Sequence, residues 1–224
     1  FFSNHKYIFY QQPIFVKIVI MIIAVLANND SWNELVSSNP ELNWIRCENE
    51  TTFLNTKEAN AYFNLLHNAS EMDYSTISKP VFLNSVSKTL QNMAAANNVY
   101  RINGWNGFIK RDTWEIANIP DETASTVLTI LNKKAVPVTD EPGFIAARII
   151  SMIINEAYFA KAENVSSEKE IDIAMKLGTN YPYGPFEWAR LIGIKNIYEL
   201  LTALSKNDPR YIPSKLLAQE AEKA

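Results

Sequence analysis

The sequence predicts an α/β domain with a mostly parallel sheet, followed by a region that is entirely helical. Two observations support this fold class. Short apolar runs typical of strands alternate with short helical patterns up to about residue 138, as in chains built from β-α units. After Pro142 every predicted element is a helix. The change of pattern near residues 139–141 divides the chain into two predicted domains, 14–139 and 140–224.

Length, charge and cysteine content narrow the possible functions. A chain of 224 residues supports one large or two small domains. The net charge of −3 predicts no affinity for nucleic acid or for an anionic membrane surface. Cys47 is the only cysteine, so an internal disulfide is excluded and a reducing, cytoplasmic location is expected. No cysteine or histidine cluster is present, so we expect no metal site.

The N-terminal apolar stretch has two interpretations. Residues 14–27 are nearly all apolar, interrupted by Lys17, and are too short for a membrane span. They can form a buried first strand at 17–26, or belong to a signal peptide within 1–27. The strand is favoured because the following segment begins a helix, as a β-α unit would. Residues 1–13 are not assigned to the fold.

The first domain consists of short strands and helices. Strands are predicted at 17–26, 42–47, 80–83, 99–103, 113–117 and 135–138, and helices at 32–37, 56–66, 87–96 and 121–132. The helix at 56–66 is predicted because Ala59, Tyr62, Phe63 and Leu66 have helical spacing. For the helix at 32–37, the sequence Asn-Asn-Asp-Ser at 28–31 supplies the N-cap, which we expect at Asp30 or Ser31.

The second domain is predicted as five helices, at 143–163, 168–178, 185–192, 197–204 and 214–223. The first is apolar on more than one face, which predicts burial on several sides. Ser167 and Glu170 form a capping-box pattern at the start of the second helix. Its end is expected at Gly178.

Four sequence motifs in this helical region occur in a characteristic order. They are Pro-Gly-Phe-Ile-Ala-Ala-Arg at 142–148, Asn-Glu-Ala at 155–157, Tyr-Pro-Tyr-Gly-Pro-Phe-Glu at 181–187 and Leu-Ile-Gly at 191–193. The chain resembles the C-terminal helical domain of 3-hydroxyacyl-CoA dehydrogenases over about residues 98–205. This resemblance implies that the first domain is a shortened, degenerate Rossmann-like domain.

The resemblance also assigns the positions of a catalytic dyad. In the family, a His in a His-Phe-Phe-Asn-Pro motif takes the substrate hydroxyl proton, and a Glu twelve residues later orients that His. Aligned without gaps, Asn103 stands at the His, Asn106 at the motif's Asn and Glu115 at the Glu. An amide can donate a hydrogen bond but cannot take a proton near neutral pH. Glu115 is then either a remnant of the ligand site or a surface carboxylate near Arg101 or Lys110.

The substrate-contacting positions are altered too. Ala147 stands where the family has an Asn that contacts the substrate carbonyl, and its methyl group makes no such hydrogen bond. Asn84 and Ser85 begin a segment that only weakly resembles the Asn-Thr-Ser-Ser segment lining the family's substrate site. Neither His5 nor His67 fits the catalytic motif, and we expect His67 at the surface or at a helix end.

A nucleotide site is the third feature that the sequence lacks. Family members open with a glycine loop that lets backbone N–H groups reach the pyrophosphate of NAD. Here no glycine precedes Gly104, and the corresponding turn at 24–30 contains Asp30. Glu48 could mimic the ribose-binding acid but means little alone. We therefore expect no cofactor. Losing a general base costs about 10²–10⁴ in rate, and losing the cofactor removes the hydride source.

Three functional hypotheses follow. The first is a catalytically degenerate 3-hydroxyacyl-CoA dehydrogenase homologue, dimeric through its C-terminal helices, that retains a site for an acyl-CoA-like ligand or a partner. The second is an active NAD-dependent 3-hydroxyacyl-CoA (3-hydroxybutyryl-CoA) dehydrogenase with a divergent cofactor loop. The third is an assembly module without a ligand. A cavity near Asn103, Asn106 and Glu115 would favour the first over the third.

Overall fold

The structure is a computed structural model that describes residues 21–67 and 69–224. His5, residues 1–13, most of the proposed signal peptide and the start of the predicted first strand lie outside these residues. The strands are β1 Ile22–Leu26, β2 Asn43–Cys47, β3 Ala61–Asn64, β4 Val81–Asn84, β5 Val99–Ile102, β6 Thr113–Ala117 and β7 Lys134–Val138. The helices are α1 Asn29–Val36, α2 Glu50–Asn55, α3 Leu90–Met93, α4 Glu122–Ile130, α5 Ala146–Ala162, α6 Glu168–Thr179, α7 Pro185–Ile192, α8 Ile194–Ser205 and α9 Lys215–Ala221.

The strands of the described chain form one sheet in the order β2-β1-β3-β4-β5-β6-β7. Every neighbouring pair is parallel except β5 and β6, which are antiparallel. Strand β2 pairs with one edge of β1, and β3 and all later strands lie on the other side of β1. The strand order therefore reverses once, at β1. In open α/β sheets, the carboxyl ends of the strands at such a reversal form the usual ligand crevice.

The predicted helix at 56–66 is wrong. Residues Ala61–Asn64 form the central strand β3, and the preceding helix α2 ends at Asn55. All four strand residues are buried. Phe63 stacks on Phe82 on one face of the sheet, with ring centroids 4.8 Å apart, while Tyr62 packs against Phe53 on the other. A strand buried on both faces has a continuous apolar run, and helical spacing can be read into such a run by chance.

Several helix starts and one cap differ from the prediction: α1 begins at Asn29 and α8 at Ile194, each three residues earlier than predicted. Within the predicted helix 87–96 only Leu90–Met93 is α-helical, and Ala94 ends it in the left-handed conformation at φ 48°. The long helix α5 begins at Ala146 instead of residue 143, because Gly143 and Phe144 have positive φ and form a turn. The N-cap of α1 is Asn28, whose side chain accepts from the Ser31 amide at 2.8 Å. Neither Asp30 nor Ser31 caps the helix.

The sheet and the helices share part of one hydrophobic core. Val86, Trp105, Phe108 and Ala117, from the sheet and its loops, are buried in the same cluster as the helical residues that surround α5. However, α5 is not covered on all sides, since Ile149 is 52% exposed. The shared core fixes the helical region against the carboxyl ends of β4 and β5, where the predicted site residues lie.

Candidate functional site

A cavity of about 390 Å³ lies where the end of β5, the start of β6 and the start of α5 meet. Its lining residues come from the loop 103–112 that follows β5, from β6 and from the start of α5: Asn103, Phe108, Arg111, Asp112, Thr113, Trp114, Glu115 and Ala146. The antiparallel pairing of β5 with β6 explains why residues twelve apart in sequence share one cavity. The cavity brings together Asn103 and Glu115, the two positions aligned with the catalytic dyad.

The Glu115 carboxylate caps the N-terminus of α5. Its two carboxylate oxygens lie 3.0 and 3.2 Å from the backbone nitrogen of Ala146, the first residue of that helix. No side chain at the helix's own N-cap position fulfils this role, and a carboxylate at a helix N-terminus is favoured by the exposed N–H groups there. Burial nevertheless raises the pKa of Glu115, because its desolvation outweighs these hydrogen bonds and the nearby charge of Arg111.

The alternative of a surface carboxylate near Arg101 or Lys110 is wrong for Glu115, which is half-buried and forms no ion pair with either cation in the described residues. Arg101 is fully buried and forms an ion pair with Asp140 instead. Its guanidinium also donates to the backbone oxygens of Ser85, at 2.8 Å, and of Val86 and Glu141, each at 3.3 Å. Asp140 in turn accepts from the first amides of α3. Arg101 therefore ties β5 to the segment that leads into the helical region.

Asn103 lies at the end of β5 and is 7% exposed. Its side-chain oxygen accepts a long hydrogen bond of 3.4 Å from the Trp105 amide. Its Nδ2 has no hydrogen-bond partner among the residues that the structure describes. An unsatisfied buried donor costs about 1–3 kcal/mol, so this amide is a candidate to bind a ligand oxygen.

Arg111 is a cavity residue that the sequence analysis did not identify. Its guanidinium stacks on Phe108, with 4.2 Å between the guanidinium carbon and the ring centroid, and lies 5.8 Å from the Trp188 ring. Burial lowers the pKa of Arg111, and the charges of Glu115 and Glu34 partly oppose this. The sequence signal was weak, since Arg111 is one of several charged residues in the stretch Lys-Arg-Asp at 110–112.

The other predicted site residues lie outside this cavity. Asn106 accepts from the Ser31 hydroxyl of α1 at 3.2 Å. Ala147 is fully buried in the shared core, while its neighbour Ala146 lines the cavity. Ser85 donates to the backbone oxygen of Lys88 at 2.8 Å. Of the predicted site residues, Asn103 and Glu115 therefore line this cavity together, and the others do not.

Asn84 lies against the start of the loop 103–112. A Cβ added at Gly104 would lie only 2.6 Å from the Asn84 Cβ, so glycine at position 104 allows the two segments to approach. Asn84 and Ser85 line a gap of about 20 Å³ beside His67 and Glu199, which is too small for a ligand. His67 is exposed, as predicted, and lies 3.2 Å from the carboxylate of Glu199 on α8.

The residues at the sheet reversal do not fit a dinucleotide. The turn after β1 leads directly into α1, whose Ser31 amide is already bound by the Asn28 side chain. The loop 103–112 packs on the same helix, where the Gly107 amide donates to Glu34 at 2.6 Å and Asn106 binds the Ser31 hydroxyl. A pyrophosphate needs free amides at this helix start. Here the Asn28 side chain already binds the Ser31 amide, and the first turn carries the negative charge of Asp30.

A second, larger space lies between the sheet and α8. This groove of about 920 Å³ is bordered by the segment after β3, the segment after β4 and one side of α8. His67, Lys88 and Lys206 line it, as do Glu71 and Glu199. In the described residues, no group of three or more His, Cys, Asp or Glu side chains is arranged to hold a metal ion. Within residues 21–67 and 69–224, no helix is both long enough and apolar enough to cross a bilayer.

Comparison with known proteins supports the resemblance stated above. A sequence model of the 3-hydroxyacyl-CoA dehydrogenase C-terminal domain matches residues 143–224. The chain is 44% identical over 91 residues to 3-hydroxyadipyl-CoA dehydrogenase of Escherichia coli (strain K12), which covers 40% of this chain and 19% of that protein. It is 41% identical over 91 residues to 3-hydroxybutyryl-CoA dehydrogenase of Clostridioides difficile, covering 40% and 32%. The chain thus spans only about a fifth to a third of the length of these curated relatives.

A solved structure extends the similarity to the sheet. The crystal structure of FadB2 from M. tuberculosis superposes with a TM-score of 0.71 over 91% of this chain and 94% of that chain, at 15% identity. At this identity the match shows the fold. It confirms the predicted fold class, a Rossmann-like, mostly parallel sheet followed by a helical region. The exact position of the predicted boundary between the two domains stays a prediction.

Proposed function

Because this chain belongs to the 3-hydroxyacyl-CoA dehydrogenase family, we propose that it is a member without hydride-transfer chemistry that still binds an acyl-CoA-like ligand. The observation that carries this proposal is the cavity lined by both Asn103 and Glu115. An open cavity supports ligand binding, since its volume of about 390 Å³ lies within the usual range for small-molecule sites. If side chains had filled this space, the protein would be better explained as a purely structural module.

The loss of chemistry is argued from the same two residues. Asn103 can donate a hydrogen bond to a carbonyl or hydroxyl oxygen but cannot accept its proton. Glu115 caps α5, and among the residues that the structure describes no histidine lines this cavity for it to orient. With the poor fit of a dinucleotide at α1, these features favour binding without turnover.

We further propose that the protein is a homodimer through its helical region. Apolar side chains are exposed on α5 and α6: Ile149 is 52%, Ile173 43% and Leu177 82% exposed. Ile173 and Leu177 are four residues apart, so they lie on one face of α6. Large exposed apolar side chains of this kind are typical of a protein interface.

A pair of titrations tests the proposed function. We expect acetoacetyl-CoA to bind saturably in calorimetry, while NADH fluorescence shows no saturable binding up to millimolar concentrations. The two ligands mixed with the protein should give no loss of NADH absorbance. Oxidation of NADH by acetoacetyl-CoA at ordinary enzyme rates, abolished in Glu115→Gln, would instead establish the active dehydrogenase. If neither acetoacetyl-CoA nor NADH binds, the remaining hypothesis is an assembly module without a ligand.

A further inference from the structure

Arg111 presents unused hydrogen-bond donors at the cavity wall. An arginine side chain carries five N–H donors. The Arg111 Nε donates to the Gly107 backbone oxygen at 3.3 Å. Among the described residues, its terminal nitrogens have neither a hydrogen-bond acceptor nor a carboxylate within ion-pair distance. The Glu115 carboxylate is near enough to raise the pKa of Arg111, but its hydrogen bonds go to the start of α5.

The position of this guanidinium is fixed by its surroundings. It stacks on Phe108 and lies beside Trp188, which orients its plane. The backbone on either side is held by the buried Lys133, whose ammonium donates to the oxygens of Ile109 and Arg111 at 3.2 and 2.9 Å. Arg111 as a whole is solvent-exposed, like Lys110, but its guanidinium is held in place by this stacking. A positioned cation with an unused fork of donors suits bidentate binding of a carboxylate.

One part of the cavity wall suits a short aliphatic chain with one further oxygen, while Asp112 and Glu115 line another part. Phe108 and Trp114 supply aromatic walls. Asn103 lines the same cavity, and its buried Nδ2 lacks a partner within the described chain. A ligand oxygen at the Asn103 wall would satisfy that donor while a carboxylate pairs with Arg111.

We propose that the cavity binds a short carboxylate that carries a hydroxyl or carbonyl oxygen, with Arg111 as the partner of the carboxylate. If the proposed function holds, on which this form of the proposal rests, the ligand is an acyl-CoA whose acyl chain ends in a carboxylate at the end opposite the thioester. The same chemistry is offered by a free hydroxy or oxo acid. Both sources are compared in the experiment.

The experiment uses two thioesters that differ only in their terminal group. Succinyl-CoA and butyryl-CoA have four-carbon acyl chains, and the first ends in a carboxylate where the second has a methyl group. Calorimetry should show succinyl-CoA binding at least about tenfold more tightly, as expected for a charge-assisted bidentate pair. In Arg111→Gln this preference should disappear, while butyryl-CoA affinity changes less than about twofold.

Two further variants keep the test decisive. Arg111→Lys retains the charge without the planar fork, and should keep part of the preference. Lys110→Gln removes an exposed neighbouring cation that does not line the cavity, and should leave the preference unchanged. Circular dichroism checks that each variant is folded. If Lys110→Gln reduces the preference as much as Arg111→Gln does, general electrostatic attraction explains it and the proposal is overturned.

Other outcomes separate this inference from the proposed function. Equal binding of succinyl-CoA and butyryl-CoA overturns the role of Arg111 and leaves acyl-CoA binding intact. If neither thioester binds but free 3-hydroxybutyrate does, in an Arg111-dependent manner, the cavity is a site for free acids and the acyl-CoA proposal is overturned. Failure of both thioesters and of 3-hydroxybutyrate to bind overturns both.

Discussion

Glu115 holds the first turn of α5 from a strand of the sheet. Its carboxylate does for this helix what an N-cap side chain usually does, except that it comes from 31 residues away in sequence. A position that aligns with a catalytic acid thereby has a structural role. Because the same carboxylate is desolvated, this role depends on its protonation state.

Glu115→Gln should change how stability depends on pH. Burial raises the pKa of Glu115 above its ordinary value of 4.5, so the folded protein holds this proton more tightly than the unfolded chain does. Stability contributed by Glu115 is then greatest at low pH and is lost as pH rises through the raised pKa. We expect the free energy of unfolding of the wild type, minus that of the variant, to fall as pH increases above 4.5.

Urea titrations of both proteins at several pH values measure this difference. The Gln oxygen can still accept from the Ala146 amide, so the variant is expected to fold. A difference that stays constant, or that grows with pH, would show that the helix cap and Arg111 dominate over burial.

Arg101 and Asp140 form the ion pair that joins β5 to the start of the helical region. Asp140→Ala leaves the fully buried Arg101 guanidinium without its carboxylate, and should reduce the free energy of unfolding by about 3 kcal/mol. The adjacent Glu141 is the matched control. Its side chain is 61% exposed and pairs with Arg148, so Glu141→Ala should cost less than about 1 kcal/mol. Equal losses in chemical denaturation would contradict a special role for Arg101.

The connection between α6 and α7 depends on one close approach. A Cβ at Gly184 would lie 2.5 Å from the Asp172 Cα, which is backbone and cannot rotate away. Asp172 also accepts from the Phe186 amide in the first turn of α7 at 2.8 Å. The packing of these two helices is therefore tight at Gly184.

Two Gly→Ala variants test this packing. Gly184→Ala should destabilise the protein by more than about 1 kcal/mol, as overpacked sites do. Gly178→Ala, in α6 with open space around it, should stabilise it by about 0.5–1 kcal/mol through helix propensity. Thermal melts of the two variants should therefore shift in opposite directions, and a fall in both would mean that helix propensity does not govern Gly178.

Elements with strong local signals were predicted correctly, and those determined by tertiary contacts were not. The helix at 185–192 and the strand at 113–117 have the predicted bounds, since proline, glycine and β-branched residues mark them. Strand β3 was missed because hydrophobic clusters on the two sides of the sheet bury both of its faces, which removes any alternation. The pairing of Asn103 with Glu115 came from the resemblance, whereas Arg111 became evident only through its position in the cavity.

At the scale of the whole molecule, the exposed faces of α5 and α6 determine the expected assembly. Sedimentation velocity should give a dimer for the wild type. The double variant Ile149→Asp with Leu177→Asp places two charges on the proposed interface and should be monomeric. Val165→Asp is the control, since Val165 is 69% exposed in the connection between the two helices, and it should remain dimeric. A monomeric wild type would exclude the dimer.

The order of the strands has a consequence for how the protein is made. From β4 onward, each strand lies beside the strand that precedes it in the chain. A nascent chain leaving the ribosome can therefore add strands one by one at a single growing edge, without inserting any between partners already paired. Only β1 must keep both edges available, until β2 and then β3 have been synthesised.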